Sequence, residues 1–400
     1  MHTGTSARTW AGRLVRAEVE GAAATPRVLL ISSFVRPHPG GVEEFIDSSR
    51  ALLEERGIQT RVLACRLPGL DTSADALIPT RFVGRSSWPL PTGGWRTLWG
   101  EVSEADAVVA NNARHLLPVI AVLVARVRGR AALLVVHGSG AGPYTGSGAF
   151  GLVRSIFEKT LGQLAIRLSQ PVSVSHAGVE GVRRLYGAQA AYLPYPLREL
   201  PPVLAPPALE PDRPMLITWV GRLFPEKAPL LAVAAVESLR RRREAVLHVY
   251  GDGPLRTELE HQARRRPWLL VQGPRTWEEV QSLQAEGHAC LATSVADNVQ
   301  VTVLEALSRG IPTVSTRVGD APSYYLSPSI SHLCVAPRDP EATADALLDL
   351  ATSYDGYRSQ FAANGDALRT RHADAGDALV RLLIGALRKA EGSGGPSPVY

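Results

Sequence analysis

Residues 289–316 read Ala-Cys-Leu-Ala-Thr-Ser-Val-Ala-Asp-Asn-Val-Gln-Val-Thr-Val-Leu-Glu-Ala-Leu-Ser-Arg-Gly-Ile-Pro-Thr-Val-Ser-Thr. The short apolar run Ala289–Ala292 is a buried-strand signal, a polar loop carrying Asp297 follows, a helix opens near Val301, and Pro312–Ser315 is the next strand. Strand, loop, helix and strand in that order form the repeating unit of a parallel α/β sheet, because parallel strands need a long, usually helical, crossover.

The same alternation extends upstream. Strands are expected at Met215–Val220, Val246–Tyr250 and Leu269–Gln272, with helices near Ala228–Arg242, Leu255–Arg265 and Trp277–Glu286. Ahead of these, Leu193–Pro214 is too rich in proline for a helix interior or a central strand and reads as a linker. A first α/β lobe precedes it. Arg27–Ser33 is its opening strand, and Pro37-His-Pro-Gly-Gly41 leads into a helix from about Val42 to Arg56 that Gly57 ends. Further strand signals fall at Arg61–Ala64, Ala107–Ala110, Ala131–His137 and Val172–Ser175. A closing amphipathic helix runs from about Ala373 to Glu391. The expected organisation is a loosely attached segment 1–25, a Rossmann-like domain 26–198, a linker 199–213, a second Rossmann-like domain 214–372, the helix 373–391 and a disordered tail 392–400.

A chain of 400 residues with 45% hydrophobic content suits two such domains. Cys65, Cys290 and Cys334 are widely spaced and show neither disulfide nor zinc-ligand patterning, which fits a reducing compartment. The first stretch carries Arg8, Arg13 and Arg16 without the apolar run of a signal peptide, and no run of about 18 apolar residues occurs, so a cytoplasmic protein is expected. The net charge of +5 gathers in Arg240–Arg243 and Arg264–Arg266, on helices and without interleaved aromatics. These are expected to be solvated helix faces rather than a nucleic-acid site; a weak attraction to anionic lipid surfaces stays open.

Asp297 in the loop and Glu305 inside the helix stand on either side of a helix start whose free amides and positive dipole end suit a diphosphate. Asn298, Val301 and Thr302 are counted among the binding positions there. Read singly, Asp297 is also a near-cap loop carboxylate and Glu305 a solvated helix residue. Val-Gly-Arg-Leu-Phe-Pro-Glu-Lys at 220–227 places Gly221, Arg222 and Lys227 at the carboxyl end of a strand, where open α/β sheets bind ligands, and the two cations would neutralise a diphosphate leaving group. Gly251 and Gly253 in Tyr-Gly-Asp-Gly-Pro form a turn that allows close approach of a nucleotide, and Gly40 and Gly41 do the same in the first lobe. His137 ends a first-lobe strand; beside its reading as a satisfied structural histidine, it is suited to orienting a hydroxyl. The aromatic stretch Trp88–Trp99 and the glycine-rich Ser139–Gly151 read as loops shaping a second substrate's site.

Together these motifs resemble the retaining GT-B glycosyltransferases of family four. The likeness covers Arg27 to about Arg388 and rests on Gly-Gly-Val-Glu at 40–43, His137, Val-Ser-Val-Ser-His-Ala at 172–177, Gly221-Arg222 with Lys227, the 251–254 turn, and Glu-Ala-Leu-Ser-Arg-Gly-Ile-Pro-Thr-Val at 305–314. The resemblance implies an acceptor domain followed by a nucleotide-sugar donor domain, with the last helix crossing back to the first. It implies Arg222 and Lys227 at the diphosphate, Glu305 at the ribose, Asp297 and His137 at the sugar, and backbone near Arg275 at the base. The family pattern usually has Glu followed by Gly-Phe-Gly where this chain has Asp297-Asn298-Val299-Gln300, and Asn-Gly where it has Leu193-Pro194-Tyr195-Pro196.

The expected activity is sugar transfer from a nucleotide diphosphate sugar, with UDP favoured, to a hydroxyl of a small-molecule, natural-product or glycan acceptor. Retention of configuration is expected, with no metal and no cofactor beyond the donor co-substrate. A catalytically inactive binding subunit and a nucleotide-sugar epimerase on the same scaffold are the alternatives. A dinucleotide dehydrogenase is disfavoured, since no Gly-x-Gly-x-x-Gly follows the first strand.

Overall fold

A computed structural model of the chain describes residues 26–38, 40–69, 72–83, 88–138, 148–197 and 206–390. The segment 1–25, the tail 392–400, and residues 198–205 at the start of the expected linker lie outside the described residues. The chain divides into two compact units, Met1–Pro196 with Asp374–Tyr400, and Leu197–Ala373.

The first unit contains β1 (Arg27–Ser32), β2 (Gln59–Cys65), β3 (Ala76–Ile78), β4 (Thr80–Val83), β5 (Trp88–Pro91), β6 (Ala107–Asn111), β7 (Ala131–Val135), β8 (Gln170–Ser173) and β9 (Ala191–Tyr192). Its main sheet is wholly parallel in the order β3-β2-β1-β6-β7-β8-β9, and β4 and β5 form a separate antiparallel ribbon. The helices are α1 (Gly41–Glu54), α2 (Trp95–Glu104), α3 (Leu116–Val127), α4 (Gly148–Phe157), which continues through a π turn at Glu158–Gly162 into α5 (Gln163–Leu168), and α6 (His176–Tyr186). Every residue of β6 and β7 is buried, which explains the apolar runs 107–110 and 131–135. One core layer joins Leu98 and Val102 of α2, Leu117 and Val122 of α3, and Ala165 and Ile166 of α5 to Leu29, Ile31, Val108 and Leu134 of the sheet.

The stretch Trp88–Trp99 is not the loop expected from its aromatic content. Trp88 lies in β5, where its Nε1 donates to the Arg114 carbonyl at 3.0 Å and its ring meets Phe157 edge-on at 5.6 Å. Left-handed Gly94 (φ 77°) then starts α2. Of the glycine-rich segment, residues 139–147 lie outside the described residues, and Gly148 already belongs to α4.

The second unit contains β10 (Met215–Val220), β11 (Ala245–Tyr250), β12 (Leu269–Gly273), β13 (Ala289–Ala292), β14 (Thr313–Thr316) and β15 (Cys334–Val335), again all parallel, in the order β12-β11-β10-β13-β14-β15. Its helices are α7 (Pro229–Leu239), α8 (Arg256–Ala263), α9 (Trp277–Glu286), α10 (Val301–Ser308), α11 (Pro328–Ser331), α12 (Pro340–Thr352) and α13 (Tyr354–Ala373). Each sheet reverses its winding beside its first strand, at β1/β6 and at β10/β13. Ligands of doubly wound sheets bind outside the carboxyl ends of strands at that switch point. The closing helix α14 (Ala375–Ala390) belongs to the first unit, packs on β7 and α1, and is fixed by Arg56 Nε to Asp377 Oδ1 at 2.7 Å.

Helix α13 positions α10 through two glycines. A Cβ at Gly365 would lie 2.7 Å from the Gly310 nitrogen and 3.0 Å from the carbonyl oxygens of Leu307 and Ser308, so the helix backbone sits directly on the end of α10. A Cβ at Gly356, in the same helix, would meet nothing within 4 Å. Gly365→Val is therefore expected to destabilise the protein by about 1–3 kcal/mol through overpacking, and Gly356→Ala to stabilise it by roughly 0.5–1 kcal/mol through helix propensity. Denaturant unfolding of the two variants checks both signs.

Candidate active site

The second unit's switch point is formed by two loops, Gly221–Ala228 after β10 and Thr293–Gln300 after β13. Backbone bonds stitch them together: Val295 N donates to the Glu226 carbonyl at 2.8 Å, and Thr293 Oγ1 donates to the carbonyls of Ala228 at 2.8 Å and Lys227 at 3.2 Å. Thr293 Oγ1 also accepts from the indole of buried Trp219 at 3.1 Å. Lys227 and Asp297 thus arrive facing one another and form an ion pair between largely buried side chains. The Asp297 carboxylate also accepts from Ser294 Oγ at 3.4 Å and the Asn298 amide at 3.0 Å. Sequence reasoning placed these two residues at one ligand but did not pair them, and Ser294 was missed altogether.

Arg222 stays at the rim. Its side chain is half exposed, with the guanidinium 5.0 Å from the Phe224 ring centroid and 3.7 Å from Glu226 Oε1. This leaves a cation presented to solvent on the same turn as Lys227. Between the loops, Gly221, Lys227, Ser294, Asp297, Gln300 and Thr302 share in lining a cavity of about 20 Å³. That is room for about one water, so a nucleotide would have to lie over the exposed side of these groups. A cavity of about 650 Å³ in the first unit is bounded by Arg27, Gln59 and Glu101, at the amino ends of β1 and β2, away from the switch point.

Helix α10 begins as the sequence indicates, at Val301. Gln300 caps nothing: its side chain is turned inward and donates to the carbonyls of Thr316 at 3.0 Å and Val318 at 3.2 Å. The expectation of a fully free amide end needs correction, because Val301 N already donates to the Val299 carbonyl at 3.0 Å, while Val303 N and Leu304 N donate to Gln300. Among the described residues, the first-turn amide left without an acceptor is that of Thr302. Asn298 is buried, and neither polar atom of its side-chain amide has a partner among the described residues. Orphaned buried amides are costly, and at a switch point they indicate a group that a ligand completes.

Glu305 is not a solvated helix residue. It is buried, its Oε1 accepts from Trp277 Nε1 at 3.0 Å, and its Oε2 from Gln281 Nε2 at 3.4 Å. Arg309, one turn further, donates to the Gln281 carbonyl at 2.7 Å and to its Oε1 at 3.0 Å. Trp277, Gln281 and Arg309 are therefore the supporting shell that sequence reasoning did not identify; the spacing of Arg309, four residues after Glu305, was the available signal.

The 251–254 turn has a structural cause. A Cβ on Gly251 (φ 144°) would lie 1.9 Å from the Gly221 carbonyl oxygen, and one on Gly253 (φ 152°) 2.7 Å from that of Leu223. The two loops are bonded as well, Leu223 N to the Asp252 carbonyl at 2.8 Å and Leu255 N to that of Leu223 at 3.0 Å. These glycines make room for the loop that carries Arg222. Arg275 follows β12, is exposed, donates to the Pro274 carbonyl at 3.2 Å and lies 5.8 Å from the Tyr250 ring centroid.

In the first unit, Gly40 and Gly41 lead into α1, whose first turn carries buried Glu43 and Glu44. Glu43 pairs with His38 at 2.5 Å and Glu44 with Arg36. The positive end of α1 is already answered by its own carboxylates. Tyr195 bonds the Gly41 carbonyl at 2.7 Å, which gives the Leu-Pro-Tyr-Pro departure a packing role. His137 follows β7, meets Phe45 edge-on at 5.0 Å, and bonds Asn111 Oδ1 through Nε2 at 3.1 Å. Asn111 Nδ2 donates to the Ile31 carbonyl at 3.3 Å, so its oxygen is the acceptor and the imidazole proton belongs on Nε2. Burial lowers the His137 pKa to about 4, which keeps the ring neutral near pH 7.

With its folded pKa depressed below the ordinary 6.5, His137 contributes stability that is complete above pH 6.5 and lost as pH falls through about 4. The difference in unfolding free energy between the native protein and His137→Gln is expected to be greatest near pH 7 and to shrink toward pH 4. A pH-independent difference in denaturant titrations would contradict the neutral, half-buried imidazole.

Residues 214–353 match the family model described as glycosyl transferases group 1. The chain is 26% identical over 225 residues to TuaC of Bacillus subtilis strain 168, named for teichuronic acid biosynthesis, covering 54% of each chain. It is 32% identical over 113 residues to the sulfoquinovosyl transferase SQD2 of Arabidopsis thaliana, covering 28% of this chain and 21% of that one. The chain thus spans about half or less of these curated relatives. Among solved structures, sucrose-phosphate synthase from Thermosynechococcus elongatus superposes with a TM-score of 0.66 at 17% identity, over 90% of this chain and 100% of that one. HepE of Anabaena in complex with UDP and glucose gives 0.65 at 14% identity, over 90% and 100%. The chain therefore has the two-sheet α/β fold of these glycosyltransferase structures, and its second unit matches the glycosyl transferases group 1 model over residues 214–353.

Proposed function

We propose that this protein transfers a sugar from a nucleotide diphosphate sugar to an acceptor hydroxyl, with retention of configuration, without a metal ion, and in the cytoplasm. The observation that carries the reading is the clustering, at the β10/β13 switch point, of exposed Arg222, the Lys227–Asp297 pair, the open Thr302 amide and the orphaned Asn298 side chain. Two cations and a helix-start amide favour a diphosphate, and they stabilise it most when it departs with full negative charge. UDP is the favoured carrier; the Anabaena HepE structure holds UDP and glucose.

In the proposed reaction the acceptor oxygen bonds the anomeric carbon from the face that the diphosphate leaves. The carbon–oxygen bond to phosphate breaks with its electron pair, and the hydroxyl proton passes to a donor phosphate oxygen. Arg222 is assigned to the leaving phosphates, where its planar fork suits bidentate contact. Lys227 exchanges part of its contact with Asp297 for the diphosphate, and Asp297 then accepts from a sugar hydroxyl. Glu305, held by Trp277 and Gln281, is assigned to the ribose, backbone near Arg275 to the base, and neutral His137 to orienting a sugar hydroxyl. The acceptor is a small molecule, natural product or glycan.

Arg222→Ala and Lys227→Ala are each expected to lower kcat/KM for UDP-sugar turnover by roughly 10²–10³, and chelation by EDTA to leave the native rate unchanged. Unimpaired turnover in both variants would falsify the assignment. Calorimetric UDP binding without transfer or donor hydrolysis, across a broad acceptor panel, would instead indicate a binding subunit.

A further inference from the structure

We propose that the outer face of α2, α3 and the continuous α4–π–α5 helix in the first unit is a docking surface for an anionic lipid bilayer. Leu152, Val153, Ile156, Leu161, Leu164 and Leu168 are all exposed, from 64% at Leu152 to 36% at Leu168. They fall on one stripe along the 148–168 helix because of its π turn. In an uninterrupted α-helix the later leucines would rotate away from Leu152 and Ile156, and the wider turn at Glu158–Gly162 sets that rotation back. The buried side of the same helix is occupied by Glu158, Gly162, Ala165 and Ile166, so the stripe faces outward.

The neighbouring helices continue this face. Helix α3 packs beside α5 and α2 beside α3. Val127, at the end of α3, is 73% exposed between exposed Arg126 and Arg128. Trp95 and Trp99 on α2 are half exposed, and the Arg128 guanidinium lies 5.3 Å from the Trp99 ring centroid. On the long helix, Lys159 and Arg167 are exposed along one border of the stripe.

Charge identifies the occupant. From Ala107 to Val179 the chain has seven Arg and Lys residues and a single carboxylate, Glu158. That carboxylate is buried and accepts from Arg114 Nε at 3.1 Å and the Tyr186 hydroxyl at 2.7 Å, so it does not offset the outer cations. On α2, Glu101 is bonded to Arg61, and Glu104 is the exposed carboxylate at the far end of the helix from Trp95. Aliphatic side chains between basic residues, with tryptophan at the edge, match the depth profile of a bilayer surface with anionic headgroups. A second copy docking by the same face would set these cations against one another. Among the described residues no helix is long and apolar enough to cross a membrane, so the contact is interfacial.

The test is co-sedimentation of the full chain with vesicles of equimolar phosphatidylglycerol and phosphatidylcholine, and with phosphatidylcholine alone. Binding to the anionic vesicles is expected, with a blue shift of tryptophan emission from Trp95 and Trp99. Lys159→Gln with Arg167→Gln should weaken it by roughly tenfold or more, without changing the weak association with neutral vesicles. Leu161→Ser with Leu164→Ser should weaken both by roughly 10- to 100-fold. Leu152→Gln with Ile156→Gln, on the preceding turns, should act likewise and guards against misfolding of the first pair. Failure of the native chain to sediment with anionic vesicles, or equal sedimentation of folded leucine variants, overturns the proposal. A concentration-dependent dimer in sedimentation velocity that the same leucine changes abolish would overturn it too, by making the face a self-association surface.

Discussion

The ion pair between Lys227 and Asp297 is the constraint on which the second unit's site depends. It joins the loops that leave β10 and β13, the two strands between which the sheet reverses direction. The pair can form because Thr293 and Val295 bond the carbonyls of the first loop and hold both backbones in register. A buried pair of this kind costs desolvation and adds little net stability. Its value lies in geometry: a cation and an anion are kept poised, and a polyanionic ligand can compete for the cation.

The surrounding structure serves that arrangement in layers. Gly251 and Gly253 let one turn lie against the Arg222 loop closely enough that any side chain would collide with its carbonyls. Gln300 anchors the start of α10 to the end of β14 and the following residues, and Gly365 brings α13 onto its far end. Glu305 is fixed from the side by α9. The helix that offers the Thr302 amide is therefore held at both ends and along one face, which suits a site that must stabilise developing charge without reorganising.

Much of this was legible in the residues. The strands Met215–Val220 and Ala289–Ala292 and the helix start at Val301 follow from short apolar runs bounded by turn residues, and the structure has those bounds. Less visible were elements whose signal is aromatic or small rather than aliphatic. Helix α13 buries Tyr354, Tyr357, Phe361, Gly365 and His372, a stripe that aliphatic periodicity does not reveal, and Trp88–Trp99 disguised a strand and a helix as a loop. At the site, residue type indicated the charges, but the pairing of Lys227 with Asp297 and the bonds of Trp277 and Gln281 to Glu305 are long-range contacts that no local pattern encodes, and the Val301 amide is taken up by a tight local turn onto Val299. At Gly251 and Gly253 the clearance that the turn provides is taken up by the backbone of the Gly221–Leu223 loop.

The central claim concerns where a pyrophosphate binds, and a crystal structure of the protein with UDP measures that directly. The expected result has the two phosphates against Arg222, Lys227 and the Thr302 amide, with the Lys227–Asp297 contact lengthened and the Asn298 amide engaged. Phosphates bound elsewhere, with Lys227 still closed on Asp297, would contradict it.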